Sequence, residues 1–378
     1  MFRIKNGKSG FNRRTQDDMR RICFLAGDIG RSGGTERATA VIASALVDRG
    51  FDVSILSFSR GLQAYFPLHP KVHLLSMHME GHSANLSDVR IWFRLHKFLR
   101  QHAFNVVIDA DTILSWYSIP AAWCTGTKVI SWEHFHFRIN MGDIFQRFRR
   151  AAGRRIAANF AKVVVTLTER DRQQYIEHLT CRAPLIAIPN PKTIPHERRA
   201  NLEAKVVLAA GRLASEKGFD LLLEAWARVQ PLNLCWRLHI VGSGQDEHML
   251  KSRAQALHIA EIVDFIPHSD AMVEHYVAAS IFVCSSRFEG FGLVLVEAKS
   301  FGLPVVSFDC DCGPSAIVRD GIDGVLVPKE DVVWLARSLR SLMEDDQRRQ
   351  KYGQSAYEDR RFDLENIVQA WEQVILQA

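Results

Sequence analysis

Short apolar runs alternate with helically spaced segments along almost the whole chain, and one proline-dense stretch interrupts them. Residues 21–26, 51–58, 72–75, 105–109, 128–132 and 162–167 read as strands, with helices predicted over 35–49, 91–102 and 145–160. The pattern stops at Ile188-Pro-Asn-Pro-Lys-Thr-Ile-Pro195, which can continue neither element. It then restarts, with strands expected at 205–210, 236–241, 262–265, 281–285 and 304–308. Helices are expected at 219–229, 248–257, 293–301, 331–343 and 364–376. Strand–helix alternation on this scale builds parallel sheets covered by helices. The 378 residues are enough for two such cores. The expected fold class is therefore α/β, with two Rossmann-like, doubly wound parallel-sheet domains facing a central cleft. Ligands of such sheets bind beyond the carboxyl ends of the strands. The expected division is a disordered N-terminal arm over 1–18, domains over 19–190 and 191–360, and a C-terminal helix over 361–378 that crosses back to the first lobe.

Composition removes several alternatives. An apolar content of 47% excludes a disordered chain. No run of 18 apolar residues suggests a membrane span, and the basic start MFRIKNGKSGFNRRTQDDMRR lacks the apolar stretch of a signal peptide. The seven cysteines are scattered, several inside strand-like runs, a usage that fits buried thiols in a reducing cytosol. Charge is unevenly divided. Residues 1–195 hold 28 Lys and Arg against 15 Asp and Glu, whereas 196–378 hold 20 against 27. The basic half should meet an anionic partner.

Three motifs carry chemistry. Gly30-Arg-Ser-Gly-Gly-Thr-Glu36 lies between the first strand and its helix, where Gly33 and Gly34 let backbone approach a ligand. It does not spell the dinucleotide pattern G-x-G-x-x-G. In Gly211-Arg-Leu-Ala-Ser-Glu-Lys-Gly218, the cations Arg212 and Lys217 can converge on one phosphate. In Arg287-Phe-Glu-Gly-Phe-Gly-Leu-Val-Leu-Val-Glu-Ala298, Glu289 and Glu297 flank a glycine loop and helix start. There Gly290, Phe291, Gly292, Leu293 and Val294 can offer backbone N–H groups to a diphosphate.

With these motifs the chain resembles the retaining glycosyltransferases of family 4, which have the GT-B fold. The likeness runs from about residue 21 to 345 and includes Ile188-Pro-Asn190, Gly302-Leu-Pro304, Gly313-Pro314 and Asp320-Gly-Ile-Asp-Gly324. The resemblance implies an N-terminal acceptor lobe and a C-terminal nucleotide-sugar lobe. Arg212 and Lys217 would bind the donor diphosphate, Glu297 the ribose hydroxyls and Glu289 the donor sugar. The Gly34 backbone would sit against phosphate or sugar. His134, in Ser131-Trp-Glu-His-Phe-His136, aligns with the family's N-lobe histidine near the reacting carbon. Ala316 and Pro267 depart from the pattern and bear on donor choice.

The reaction expected is hexose transfer from a UDP-type donor to a hydroxyl of a lipid-linked oligosaccharide, by front-face displacement with retention. It requires no metal or other cofactor, because two cations and a helix dipole can stabilise the leaving group. Asp109-Ala-Asp111 and Asp309-Cys-Asp311 resemble D-x-D metal sites, but acids at such strand ends commonly cap the next helix. Helix 145–160 places Phe145, Phe148, Ala152, Ile156 and Phe160 on one face with five arginines elsewhere, and 91–100 mixes aromatics with Arg94, Lys97 and Arg100. Such helices can lie on an anionic bilayer. The expected partners are thus a nucleotide sugar, a polyprenyl-diphosphate-linked oligosaccharide and the inner face of the cytoplasmic membrane, with no nucleic acid. A nucleotide-sugar epimerase on the same fold would need Asp109 and Asp111 as acid and base. A nucleic-acid-binding protein would leave Arg212, Lys217, Glu289 and Glu297 unexplained.

Overall fold

A computed structural model describes residues 20–59, 63–77, 89–137, 144–195, 197–229 and 235–378. The expected arm over 1–18 lies outside them. The first lobe is a parallel sheet of β1 (Arg21–Ala26), β2 (Asp52–Ser57), β3 (His73–Ser76), β4 (Val106–Asp109), β5 (Lys128–Trp132), β6 (Val163–Thr166) and β7 (Leu185–Ala187). Their spatial order is β3-β2-β1-β4-β5-β6-β7. Around it lie α1 (Gly34–Asp48), α2 (Val89–His102), α3 (Ser115–Ala122), α4 (Ile144–Phe160) and α5 (Glu169–His178). β1 and β4 are buried along nearly their whole length, as expected of strands covered on both faces.

The second lobe repeats the plan with β8 (Val206–Ala210), β9 (Arg237–Val241), β10 (Val263–Ile266), β11 (Ile281–Cys284), β12 (Val305–Asp309) and β13 (Gly324–Pro328). Its order is β10-β9-β8-β11-β12-β13, again parallel. Its helices are α6 (Phe219–Val229), α7 (Glu247–Ala256), α8 (Met272–Val277), α9 (Leu293–Ser300), α10 (Pro314–Ile317), α11 (Val332–Glu344) and α12 (Asp346–Tyr357). In both sheets the strand order reverses direction beside the first strand, at β1/β4 and at β8/β11. The loops leaving those strands therefore diverge and open a crevice. All three motifs lie on those loops.

The chain returns through α13 (Leu364–Gln377), which packs on α1. Trp371 meets Trp132 edge to face with centroids 4.8 Å apart, and Arg49 binds Glu372 at 3.2 Å. The apolar cluster behind the crevice is continuous from Ile22 and Trp132 through Leu295 to Trp371. Residues 188–195 form no regular element.

Seven described elements appear that apolar periodicity does not announce: β7, β13, α3, α5, α8, α10 and α12. α5 (ERDRQQYIEH) buries only Asp171, Gln174 and Tyr175, and α12 buries Arg349 and Tyr352 through hydrogen bonds and ring contacts. Neither presents an apolar stripe.

Candidate active site

The C-lobe half is built at the β8/β11 switch. Gly218, at φ +61°, ends a 3-10 turn over Ser215–Lys217, and a Cβ there would overlap the Ser285 carbonyl oxygen. Only glycine lets the loop after β8 lie on the loop after β11. The Lys217 stem runs along Gly211 and its Nζ donates to Glu289 Oε1 at 2.7 Å. Ser286 Oγ donates to the same oxygen at 2.6 Å. Burial opposes the lysine's charge, but the Glu289 carboxylate outweighs it and holds the ammonium above its ordinary range. Arg212 is exposed and, among the described residues, its side chain bonds only to Glu216 within its own loop. It stands at the crevice mouth as a cation available to a ligand. Gly292, at φ +92°, starts α9, so the first-turn amides of Leu293 and Val294 face the same crevice.

The N-lobe supplies the opposite wall. Gly34 begins α1, and a Cβ there would come 3.8 Å from Leu293 Cδ2, so the two glycine loops face each other. Gly290 lies against the backbone of His134 and Phe135, where a side chain would overlap the His134 carbonyl oxygen. His134 and Glu289, 155 residues apart in sequence, are thereby brought onto adjoining loops. The His134 ring packs on Trp132 with centroids 4.1 Å apart, and its Nε2 is buried with no hydrogen-bond partner. Burial pushes its pKa down to about 3, against the pull of Glu133, so the ring is neutral at physiological pH.

A network that no motif announces fixes this histidine loop. Glu133 is buried and accepts from Arg154 Nε at 2.6 Å, Tyr175 OH at 2.7 Å and Thr112 Oγ1 at 2.9 Å. Burial would raise its pKa, but Arg154 and Arg150 hold it at about 2. Arg154 also donates to the carbonyls of Phe137 and His136. Arg150 binds Asp111 through two bonds of 2.9 and 3.0 Å and stacks on Phe135. The signal was present: Arg150 and Arg154 sit in α4 on the side opposite its aromatic residues, and a lobe-facing arginine needs a carboxylate.

Glu297 is the site residue whose surroundings were least foreseeable. It is buried, and its Oε1 accepts from Thr193 Oγ1 at 2.8 Å and from Arg37 of α1, while Oε2 accepts from Tyr276 OH at 2.9 Å. Arg37 comes from the opposite lobe and also lies over the Phe66 ring. Glu297 is therefore a knot between the lobes. It does not touch the Lys217–Glu289 pair through any described hydrogen bond.

The first D-x-D pair is held by protein partners. Asp109 is buried and accepts from Ser115 and Ser118, both at 2.7 Å, and burial pushes its pKa up to about 7 despite those bonds. Asp111 accepts from Ile113 N and is held by Arg150. Asp109 is fully buried and Asp111 is paired with Arg150, which disfavours the two as the acid and base that an epimerase would need. Asp309 is exposed at the end of β12.

Known proteins match over both lobes. Residues 32–191 match the family described as "Glycosyltransferase Family 4" and residues 191–359 match "Glycosyl transferases group 1". An uncharacterized glycosyltransferase of Haemophilus influenzae is 32% identical over 359 residues, covering 94% of this chain and all of the relative. The amylovoran biosynthesis glycosyltransferase AmsD of Erwinia amylovora is 28% identical over 377 residues, with 94% and 100% covered. Among solved structures, Anabaena Alr3699/HepE in complex with UDP superimposes with a TM-score of 0.76 at 19% identity, covering 95% of this chain and 100% of that one. With motifs, lobes and relatives in agreement, the chain belongs to the family 4 glycosyltransferases and has the GT-B fold.

Proposed function

We propose that this enzyme moves a hexose, with retention, from a UDP-type donor to a hydroxyl of a lipid-linked oligosaccharide in surface polysaccharide assembly. The observation that carries the reading is the meeting of Lys217, Glu289 and the α9 start with the neutral His134 across Gly290. The role of AmsD in amylovoran biosynthesis and the UDP bound to HepE support the substrate classes.

The chemistry follows from charge. Breaking the bond between the sugar's anomeric carbon and the diphosphate oxygen leaves negative charge on the diphosphate. Lys217, Arg212 and the α9 amides supply positive potential for it, so no divalent ion is required for that step. Glu289, held by Lys217 and Ser286, serves as acceptor for donor-sugar hydroxyls and is poorly placed as a free nucleophile. In front-face attack the acceptor oxygen bonds to the anomeric carbon on the side the diphosphate leaves. Its proton passes to the departing phosphate oxygen. The His134 Nε2 positions the sugar by one hydrogen bond. Glu297 meets the ribose once Arg37 withdraws.

The membrane part of the reading rests on α4, whose orientation is the reverse of an ordinary core helix. Its Arg149 and Arg154 are buried, while Ile144, Phe145, Phe148 and Phe160 are exposed, Ile144 at 76%. Phe93 of α2 is 71% exposed on the same lobe, and α2 and α4 both pack on α3. Exposed aromatics beside Arg147, Arg155 and Lys97 suit an anionic bilayer surface. No described helix is long and apolar enough to cross a membrane.

The test is transfer from a panel of UDP-, GDP- and ADP-hexoses to polyprenyl-diphosphate oligosaccharides in EDTA, with the product's anomeric configuration read by NMR. An α-linked product from an α-configured UDP donor supports the reading. Inversion, or an absolute need for added metal, overturns it.

A further inference from the structure

The loop after β12 and the histidine loop meet at a second cluster that the transfer reaction does not use. His136 Nε2 lies 3.5 Å from Asp311 Oδ2. The ligand atoms of His136, Asp311 and Cys312 all fall within 4.8 Å of one another. His136 and Cys312 are buried and Asp311 is exposed, which leaves an entry path. Arg170 lies 3.6 Å from Asp311 Oδ1 and leaves Oδ2 turned to the histidine.

Two buried side chains beneath the cluster point to a ligand. Gln174 is fully buried, with Nε2 3.5 Å from both Asp311 Oδ2 and Cys312 Sγ and with Oε1 unpartnered. Asp171 is 2% exposed, accepts from Thr168 Oγ1 at 2.8 Å, and its carboxylate reaches the Cys312 thiol, which places a buried negative group beneath the cluster. An orphaned amide oxygen beside a buried carboxylate is costly in a dry interior unless something positive meets them.

We propose that His136, Asp311 and Cys312 form a site for a divalent transition metal, Zn²⁺ by its chemistry, that ties the two lobes together beside the crevice. One imidazole, one thiolate and one carboxylate form a zinc donor set and a poor one for Mg²⁺. Tetrahedral zinc places neighbouring donor atoms roughly 3.3–3.7 Å apart. The His136–Asp311 separation already matches, and the exposed Asp311 side chain can close the remainder. Asp171 or water completes the shell, and binding releases the Cys312 thiol proton to solvent. The donor set shares no residue with the diphosphate cations Arg212 and Lys217, and the proposal does not rest on the transfer reading.

Co²⁺ reports thiolate coordination directly. The full chain carrying Cys124→Ser and Cys235→Ser, which removes the two exposed thiols, is stripped with EDTA, desalted and titrated with Co²⁺. The expected result is a thiolate-to-cobalt absorption band that saturates at one equivalent, is displaced by Zn²⁺ and ignores Mg²⁺. Adding Cys312→Ser abolishes the band, and His136→Gln weakens binding by about tenfold or more. Asp311→Asn alters an exposed side chain and preserves the fold by circular dichroism, so its matching loss excludes unfolding as the cause. A band that survives Cys312→Ser, or Co²⁺ affinity unchanged by Asp311→Asn, overturns the site, as does absence of saturable binding.

Discussion

Replacing Gly290 by alanine tests whether the two lobes meet as described. The new methyl would overlap the His134 carbonyl oxygen and come 3.5 Å from Phe135 Cα. Neither partner can yield cheaply. The histidine loop is clamped by Arg154 on the carbonyls of Phe137 and His136 and by Glu133 on the Phe135 amide. Glu289, next to Gly290, is fixed by Lys217 and Ser286. The lobes must therefore part by roughly 1 Å at this contact, a misplacement that costs on the order of 10²-fold in rate. UDP affinity should change by less than about threefold, because Arg212, Lys217 and the α9 amides stay on one lobe. The assay is kcat and KM for transfer together with calorimetric UDP binding. A variant with unchanged kcat refutes the contact. A variant that loses UDP binding and kcat in parallel refutes the assignment of His134 and the phosphate cations to separate lobes.

The other predictions concern charge. Arg154→Met leaves Glu133 buried without its main partner and should lower stability by about 3–5 kcal/mol, read as a drop in denaturation midpoint; a change under 1 kcal/mol, on the ~1 kcal/mol scale of an exposed pair, contradicts the clamp. His134 binds its proton only near pH 3 when folded but near its ordinary value of 6.5 when unfolded. Its contribution to stability is thus present above pH 6.5 and lost as pH falls from 6.5 towards 3. His134→Gln should flatten that part of the stability–pH curve, and an unchanged curve would mean the ring is not buried neutral. Arg37→Gln takes the interlobe cation off Glu297, leaving Thr193 on Oε1, and should tighten UDP binding several-fold; weaker binding would make Arg37 a donor contact instead. Phe145→Ser with Phe148→Ser should abolish sedimentation with phosphatidylglycerol vesicles and leave UDP binding intact, and retained sedimentation would exclude α4 as the membrane face.

The central strands were legible because they are apolar runs buried on both faces, and β1, β5 and α6 begin and end where the sequence pattern places them, whereas the half-buried β7 was not. Polar helices were not: α5 and α12 are held by hydrogen bonds from few buried residues, and periodicity carries no sign of them. α4 shows the limit most clearly. The aromatic face was visible, but only tertiary structure reveals that it points outward while Arg154 turns in to Glu133. At the site, Lys217 and Glu289 lie on loops whose meeting follows from the strand order at β8/β11, so local motifs sufficed. Arg37 sits within the glycine motif's helix, yet its partner is 260 residues away, beyond any local pattern.

A diphosphate site made of protein cations should bind UDP without a metal ion. Calorimetric titration of UDP in EDTA, on the wild type and on Arg212→Ala, tests it most directly. Arg212 is exposed and, among the described residues, its side chain bonds only within its loop, so the substitution spares the fold. The account predicts saturable binding by the wild type without metal and at least about a tenfold weaker constant for the variant, as for a lost charge-assisted contact. Equal affinities, or wild-type binding that appears only when Mg²⁺ is restored, would contradict it.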